Sequence, residues 1–109
     1  MTASKQPFDL IYDQEIRQHL AAIERKHHSL IRQTITQQLT YEPNIETRNR
    51  KPLTHSAEFG AATWEIRFGP NNRFRVFYRT DETKREVRVL AIGVKKRNQL
   101  WIGGERFEL

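Results

Sequence analysis

Cysteine is absent from the 109 residues, so neither a disulfide staple nor a thiolate zinc site can be built. That composition is compatible with a reducing cytoplasm, which is the expected compartment. Long apolar runs are missing as well. None approaches the roughly 20 residues of a spanning helix, and no membrane role is expected. The opening MTASKQPFDLIYD holds no extended apolar stretch, which argues against a secretory signal. Acidic residues are outnumbered, 13 Asp and Glu against 19 Lys and Arg, for a net charge of +6. A surface of that sign favours RNA, DNA or an acidic protein as partner. At 37% hydrophobic and 29% charged residues, the chain still has enough Ile, Leu, Val and aromatics for one modest core. Its length suits one domain, 1–109, with no internal repeat.

Phe8, Leu10 and Tyr12 alternate with Asp9, Ile11 and Asp13, which predicts a short first strand. Asp13 is a candidate cap for a helix carrying Ile16, Leu20 and Ile23 on one face. Ser29 is a candidate cap for a second helix with Ile31, Ile35 and Leu39, which Pro43 stops. Together they read as a helical hairpin, with His19, His27 and His28 on its surface. Residues 42–62 look irregular and hold the basic cluster Arg48, Arg50, Lys51. The period then changes to two. Trp64, Ile66 and Phe68 alternate with Glu65 and Arg67, and Gly69-Pro70-Asn71-Asn72 makes a turn. Phe74, Val76 and Tyr78 alternate with Arg73, Arg75, Phe77 and Arg79. A polar turn at Asp81–Lys84 leads to a third run, 86–94, that is richer in apolar residues and therefore more covered. The tail after Gln99 reads as a short appendage broken at Gly103-Gly104. The fold class expected is α+β: a small antiparallel sheet, made of a three-stranded meander plus the N-terminal strand, packed on the helical hairpin.

In that arrangement one sheet face meets the helices. The other collects Glu65, Arg67, Arg73, Arg75 and Arg79, with Arg88 on the third strand and Lys95, Lys96 and Arg97 at its end. Crowded arginines repel, so an anionic partner is one reason for them. A solvated face in which Glu65 and Glu86 pair with some of them is the other. Phe77, Leu90 and Ile92 form an apolar stripe on the same outer face, covered either by a partner or by the C-terminal tail.

WEIRFGPNNRFRVFY, a polar turn and VRVLAIGVKKRNQLW, preceded by two helices and by Arg50-Lys51-Pro52-Leu53, resemble the RelE/ParE superfamily of toxins over roughly residues 8–102. The resemblance implies a RelE-like sheet with a helical pair on one side, and a cognate antitoxin that buries the stripe Phe77, Leu90, Ile92. It implies a monomer when free, with operator DNA bound only through the toxin–antitoxin complex. The RelE branch enters the ribosome and cleaves mRNA without metal or other cofactor. By that likeness Arg67 and Arg75 fall at catalytic positions, and Lys95, Lys96 or Arg97 supplies the basic group after the glycine. Arg50, Lys51, Arg73, Arg79, Arg97 and Trp101 would then contact RNA. The alternatives are a ParE-like gyrase inhibitor and a non-toxic RelE-like interaction module.

Cleavage by the 2′-hydroxyl needs a base, cations on the phosphorane-like transition state and an acid for the leaving oxygen. Guanidinium forks suit the phosphate, whereas arginine, with a pKa above about 12, is a poor base. Lys95 or Lys96, with the pKa lowered by crowding, suits proton transfer. Glu65 stands where many RelE-type toxins carry a second lysine, and Trp101 where RelE has a functional tyrosine; His55 is a candidate substitute acid. Adjacent helical residues point about 100° apart, so His27 and His28 do not form a metal site. The nuclease reading requires Arg67 and Arg75 to face the same way, with neither committed to a buried carboxylate.

Overall fold

A computed structural model describes residues 6–54 and 61–107; His55, and the role expected of it, lie outside the described residues. In chain order the elements are β1 (Asp9–Tyr12), α1 (Ile16–Ala21), α2 (His28–Leu39), β2 (Arg50–Pro52), β3 (Trp64–Phe68), β4 (Phe74–Asp81), β5 (Glu86–Lys96), β6 (Gln99–Ile102) and β7 (Glu105–Phe107). The strands run β2-β3-β4-β5-β6-β7 with antiparallel neighbours, and β1 lies parallel to the first half of β5. The expected meander is β3, β4 and β5, and β1 does join it. Three short strands extend the sheet beyond expectation: β2, from the segment read as irregular, and β6 and β7, from the tail.

Period two places Ile66, Phe68, Phe74, Val76 and Tyr78 on the helix side, where they meet Ile31, Ile35 and Leu39 of α2 and Ile16 of α1. Neither helix uses the caps expected. The Ile16 N–H reaches the backbone carbonyl of Asp13 at 3.0 Å, and no side chain caps α1. A single 3-10 turn, Arg25–His27, leads straight into α2 at His28, one residue before Ser29. The His28 Nε2 lies 2.8 Å from the Ile23 carbonyl and donates to it, tying the start of α2 to the preceding turn.

One irregularity decides which side chains of β5 face outward. Phe77 pairs with Ala91 but Tyr78 pairs with Val89, so Leu90 is an extra residue. A bulge of this kind shifts the alternation by one. Val87 and Val89 face the helices before it, and Ile92 and Val94 after it. The expected stripe therefore comes apart. Phe77 (2% exposed) and Ile92 (1% exposed) are buried on opposite faces, and only Leu90 stays half-exposed. Phe77 sits in a second, outer cluster with Ala62, Ala91, Leu100 and Ile102, against which Leu53, Leu90 and Phe107 pack. The C-terminal tail, of the two coverings considered, contributes to it.

β1 ends opposite Val89 and β6 ends opposite Gly93, leaving the β5 edge between them without a strand. His19 of α1 fills that gap, its Nδ1 accepting the Ile92 N–H at 3.2 Å. It is 8% exposed, not a surface residue as expected, and a Cβ on Gly103 would lie 3.3 Å from its ring. Burial holds the imidazole below its ordinary 6.5, against the pull of the Glu15 and Asp13 carboxylates. The unfolded chain therefore takes up a proton at higher pH than the folded one. Stability is full above about pH 6.5 and falls as pH drops through that value towards the folded-state pKa. Thermal midpoints measured from pH 7.5 down to about 5.5 are expected to decline, and His19→Gln is expected to flatten the decline. A slope unchanged by the substitution would assign it to other groups.

Two tight turns build the added hairpins. Gly103 (φ 61) and Gly104 (φ 83) join β6 to β7, both in the left-handed region that a two-residue hairpin loop requires. Arg97 (φ 51) and Asn98 (φ 65) join β5 to β6 in the same way. A non-glycine residue such as arginine is strained there. Arg97→Asn is expected to raise stability by about 0.5–1 kcal/mol in urea denaturation, since asparagine tolerates this conformation.

Candidate functional site

The β3–β4 register sets Arg67 directly opposite Arg75, and the β4–β5 register sets Arg75 opposite Gly93. In-register partners share a face, so both arginines point away from the helices, as expected. Lys95, two residues beyond Gly93, shares that face; Lys96, one further, points to the helix side. Gly93 is dictated by packing: a Cβ there would lie 2.8 Å from the Ile102 side chain and 2.9 Å from the Trp101 carbonyl oxygen.

Like charges directly opposite each other on a sheet are destabilising. Here Glu65 compensates them. It is two residues before Arg67, on the same face, and diagonal to Arg75. Its Oε1 accepts from Arg67 Nε at 3.0 Å and its Oε2 from Arg75 Nη1 at 3.1 Å. Glu65 is 5% exposed and Arg75 7%, while the Arg67 side chain is 45% exposed. The Arg75 Nε also donates to the Asn72 carbonyl at 2.9 Å. The first requirement of the nuclease reading is met and the second is not. Arg67 and Arg75 converge, but each is bonded to a buried carboxylate. With both oxygens already engaged, Glu65 is also poorly placed to act as a base.

Several other expected RNA contacts are occupied within the fold. Arg50 is 6% exposed and points to the helix side, where Nη2 donates to Gln38 Oε1 and Nη1 to the Ile45 carbonyl, both at 2.8 Å. It braces the segment after α2 and is not a surface cation. Lys51 is paired with Glu46 at 3.2 Å. Arg73 Nη2 donates to His27 Nε2 at 2.9 Å, and its guanidinium lies 5.0 Å from the Phe74 ring centre, again on the helix side. Trp101 pairs in register with Val94 and so lies on the face opposite Arg67 and Arg75. Arg79 is exposed and faces Arg88 directly across the strands on the outer face, near Lys84, Asp81 and Glu86. Lys96 and Arg97 are exposed at the β5–β6 turn.

Two features were not expected. Glu65 was expected either as a departure from the family pattern or as a partner of some arginines on a solvated face, and not as a buried clamp between two of them, although its spacing from Arg67 and the hairpin register carry that signal. The second is a groove of about 820 Å³ between α1, α2 and β1, lined by Tyr12, Ile16, Leu20, Ile35 and Arg32, with Ile92 at its floor. Among the described residues no helix is long and apolar enough to cross a membrane.

These elements define an α+β fold in which a helical layer covers one face of an open, mainly antiparallel sheet. A chain of the toxin–antitoxin complex RelBE2 from Mycobacterium tuberculosis has the same fold. It matches with a TM-score of 0.67 and 21% identity, over 86% of this chain and 98% of that one. The RelE-like fold expected from the sequence is the one observed. No family model matches the sequence, and no curated protein matches it.

Proposed function

We propose that the chain is the toxin of a toxin–antitoxin pair, a single RelE-like domain acting in the cytoplasm on ribosome-bound mRNA. The observation that carries this is that Arg67, Arg75 and Lys95 share one sheet face, in a fold shared with a chain of a toxin–antitoxin complex. This reading holds only if the Glu65 carboxylate gives way to the substrate; the two guanidiniums then stabilise charge on the scissile phosphate, and Lys95 transfers the proton from the 2′-hydroxyl to the leaving oxygen. Lys95 is preferred to Lys96 because it shares their face. Arg97, Lys96 and the Arg79–Arg88 pair supply further phosphate contacts. The cognate antitoxin docks its apolar side chains in the groove beside Tyr12 and Leu20, since Phe77 and Ile92 are inaccessible. The free protein is a monomer, and operator DNA is bound only by the complex.

The Glu65 clamp favours a second reading, in which the protein binds its target without cleaving it, as a ParE-like gyrase inhibitor does. Induction in bacteria, with the 5′ ends of mRNA mapped, separates the two. Cuts clustered in the ribosomal A site and lost in Lys95→Ala are expected. Intact mRNA with blocked replication and a DNA-damage response would replace the nuclease by the gyrase reading. No effect on growth would leave a non-toxic interaction module.

A further inference from the structure

We infer that the Arg67–Arg75 pair is an oxyanion site that the chain keeps filled with its own Glu65 carboxylate, which a phosphodiester must displace. Three observations carry this. The pair is set directly in register on a sheet face, an arrangement that is unfavourable unless an anion lies between the charges. The anion present offers one oxygen to each guanidinium, at 3.0 and 3.1 Å. The two non-bridging oxygens of a phosphodiester present the same two-acceptor edge with the same single charge. Exchange of one for the other therefore leaves the charge of the cluster unchanged.

The geometry also supplies a route. Arg67, with its side chain 45% exposed, is the solvent side of the site. Arg75 does not depend on Glu65 alone for its orientation, because its Nε is held by the Asn72 carbonyl at 2.9 Å. When Glu65 swings out, Arg75 stays aimed at the vacated position. Glu65 is tethered two residues from Arg67, so its effective concentration is high and a free anion competes poorly. Only a phosphate delivered at comparable effective concentration, by a chain fixed through other contacts, displaces it. The site is then closed in the free protein and opens on a prepositioned strand. That the displacing group belongs to RNA rests on the function proposed above; the existence of the site does not.

The test uses the full chain with Glu65→Gln and Glu65→Ala, inorganic phosphate as the probe, and chloride at matched ionic strength as the control. Both variants are expected to bind phosphate about tenfold or more tightly than the wild type, because the competing like charge is gone. Phosphate should raise their thermal midpoints while leaving the wild type unmoved, and adding Arg75→Ala to Glu65→Gln should abolish the gain. A folded Glu65→Gln protein with the wild-type phosphate response would overturn the inference. So would a Glu65→Ala protein that is unfolded and that phosphate fails to restore. A short single-stranded RNA of mixed sequence is the second probe. Gain for phosphate without gain for RNA keeps the site and discards the RNA reading. Cleavage of mRNA by the wild type, with no phosphate gain in the variants, does the reverse.

Discussion

Arg75→Ala is expected to destabilise the fold by about 3–5 kcal/mol, and Arg67→Ala by at most about 1 kcal/mol. Both arginines bond the same carboxylate at nearly the same distance, 3.1 and 3.0 Å. Burial separates them. The Arg75 side chain is 8% exposed, and removing it leaves Glu65, whose side chain is 7% exposed, with only one partner, which is itself open to water. Breaking a buried pair leaves an uncompensated charge in a medium that solvates it badly. At Arg67 water replaces the lost guanidinium, so the net loss is small. Urea denaturation at constant m-value reads the difference. Equal, small losses would mean that Glu65 is solvated and that the clamp contributes little to stability. The same pair of variants bears on the nuclease: a direct phosphate role predicts that both lose cutting, even though only one loses stability.

Phe74→Ala is expected to cost about 3–5 kcal/mol, enough to leave a domain of this size close to unfolding. Phe74 is 1% exposed and joins the turn, the helices and the sheet. Its ring lies 5.8 Å from that of Phe68 and 5.1 Å from that of His27, between ring centres, and Arg73 stacks at 5.0 Å. A Cβ on Gly69 would come within 2.5 Å of it, so the turn before β4 is closed down upon the ring. Truncation removes apolar contact and leaves a cavity between the turn, the helices and the sheet. Phe74→Leu, which keeps most of the volume, should cost less, about 1–2 kcal/mol. A thermal midpoint for Phe74→Ala within a few degrees of the wild type would show that the site collapses around the loss.

The strands around this residue were readable because alternation and turn chemistry agree there. Trp64 to Phe68 and Phe74 to Tyr78 alternate strictly, and Gly69-Pro70-Asn71-Asn72 lies between them. From that pattern alone, Arg67 and Arg75 fall on one face, and they do. The tail was less readable. QLWI and ERF are too short for alternation to register, although Gly103-Gly104 is a known hairpin signal. The Leu90 bulge was not readable, because an inserted residue in a run of apolar residues leaves no mark on the sequence. It alone sends Ile92 inward and dissolves the expected stripe. His19 and Arg50 were misplaced for a related reason. Polar residues are ordinarily exposed, and each is buried here by a partner supplied from elsewhere in the chain. For His19 that partner is the Ile92 N–H; for Arg50 it is Gln38 and the Ile45 carbonyl.

By itself the sequence determined the α+β class, the two faces of the hairpin and the excess of positive charge, since period, turn residues and composition are local properties. Tertiary structure decided which charges are free. A side chain is paired or open according to distances fixed by strand register and by the elements laid over it. That is why Arg75 is a clamped, buried cation and Lys95 is not.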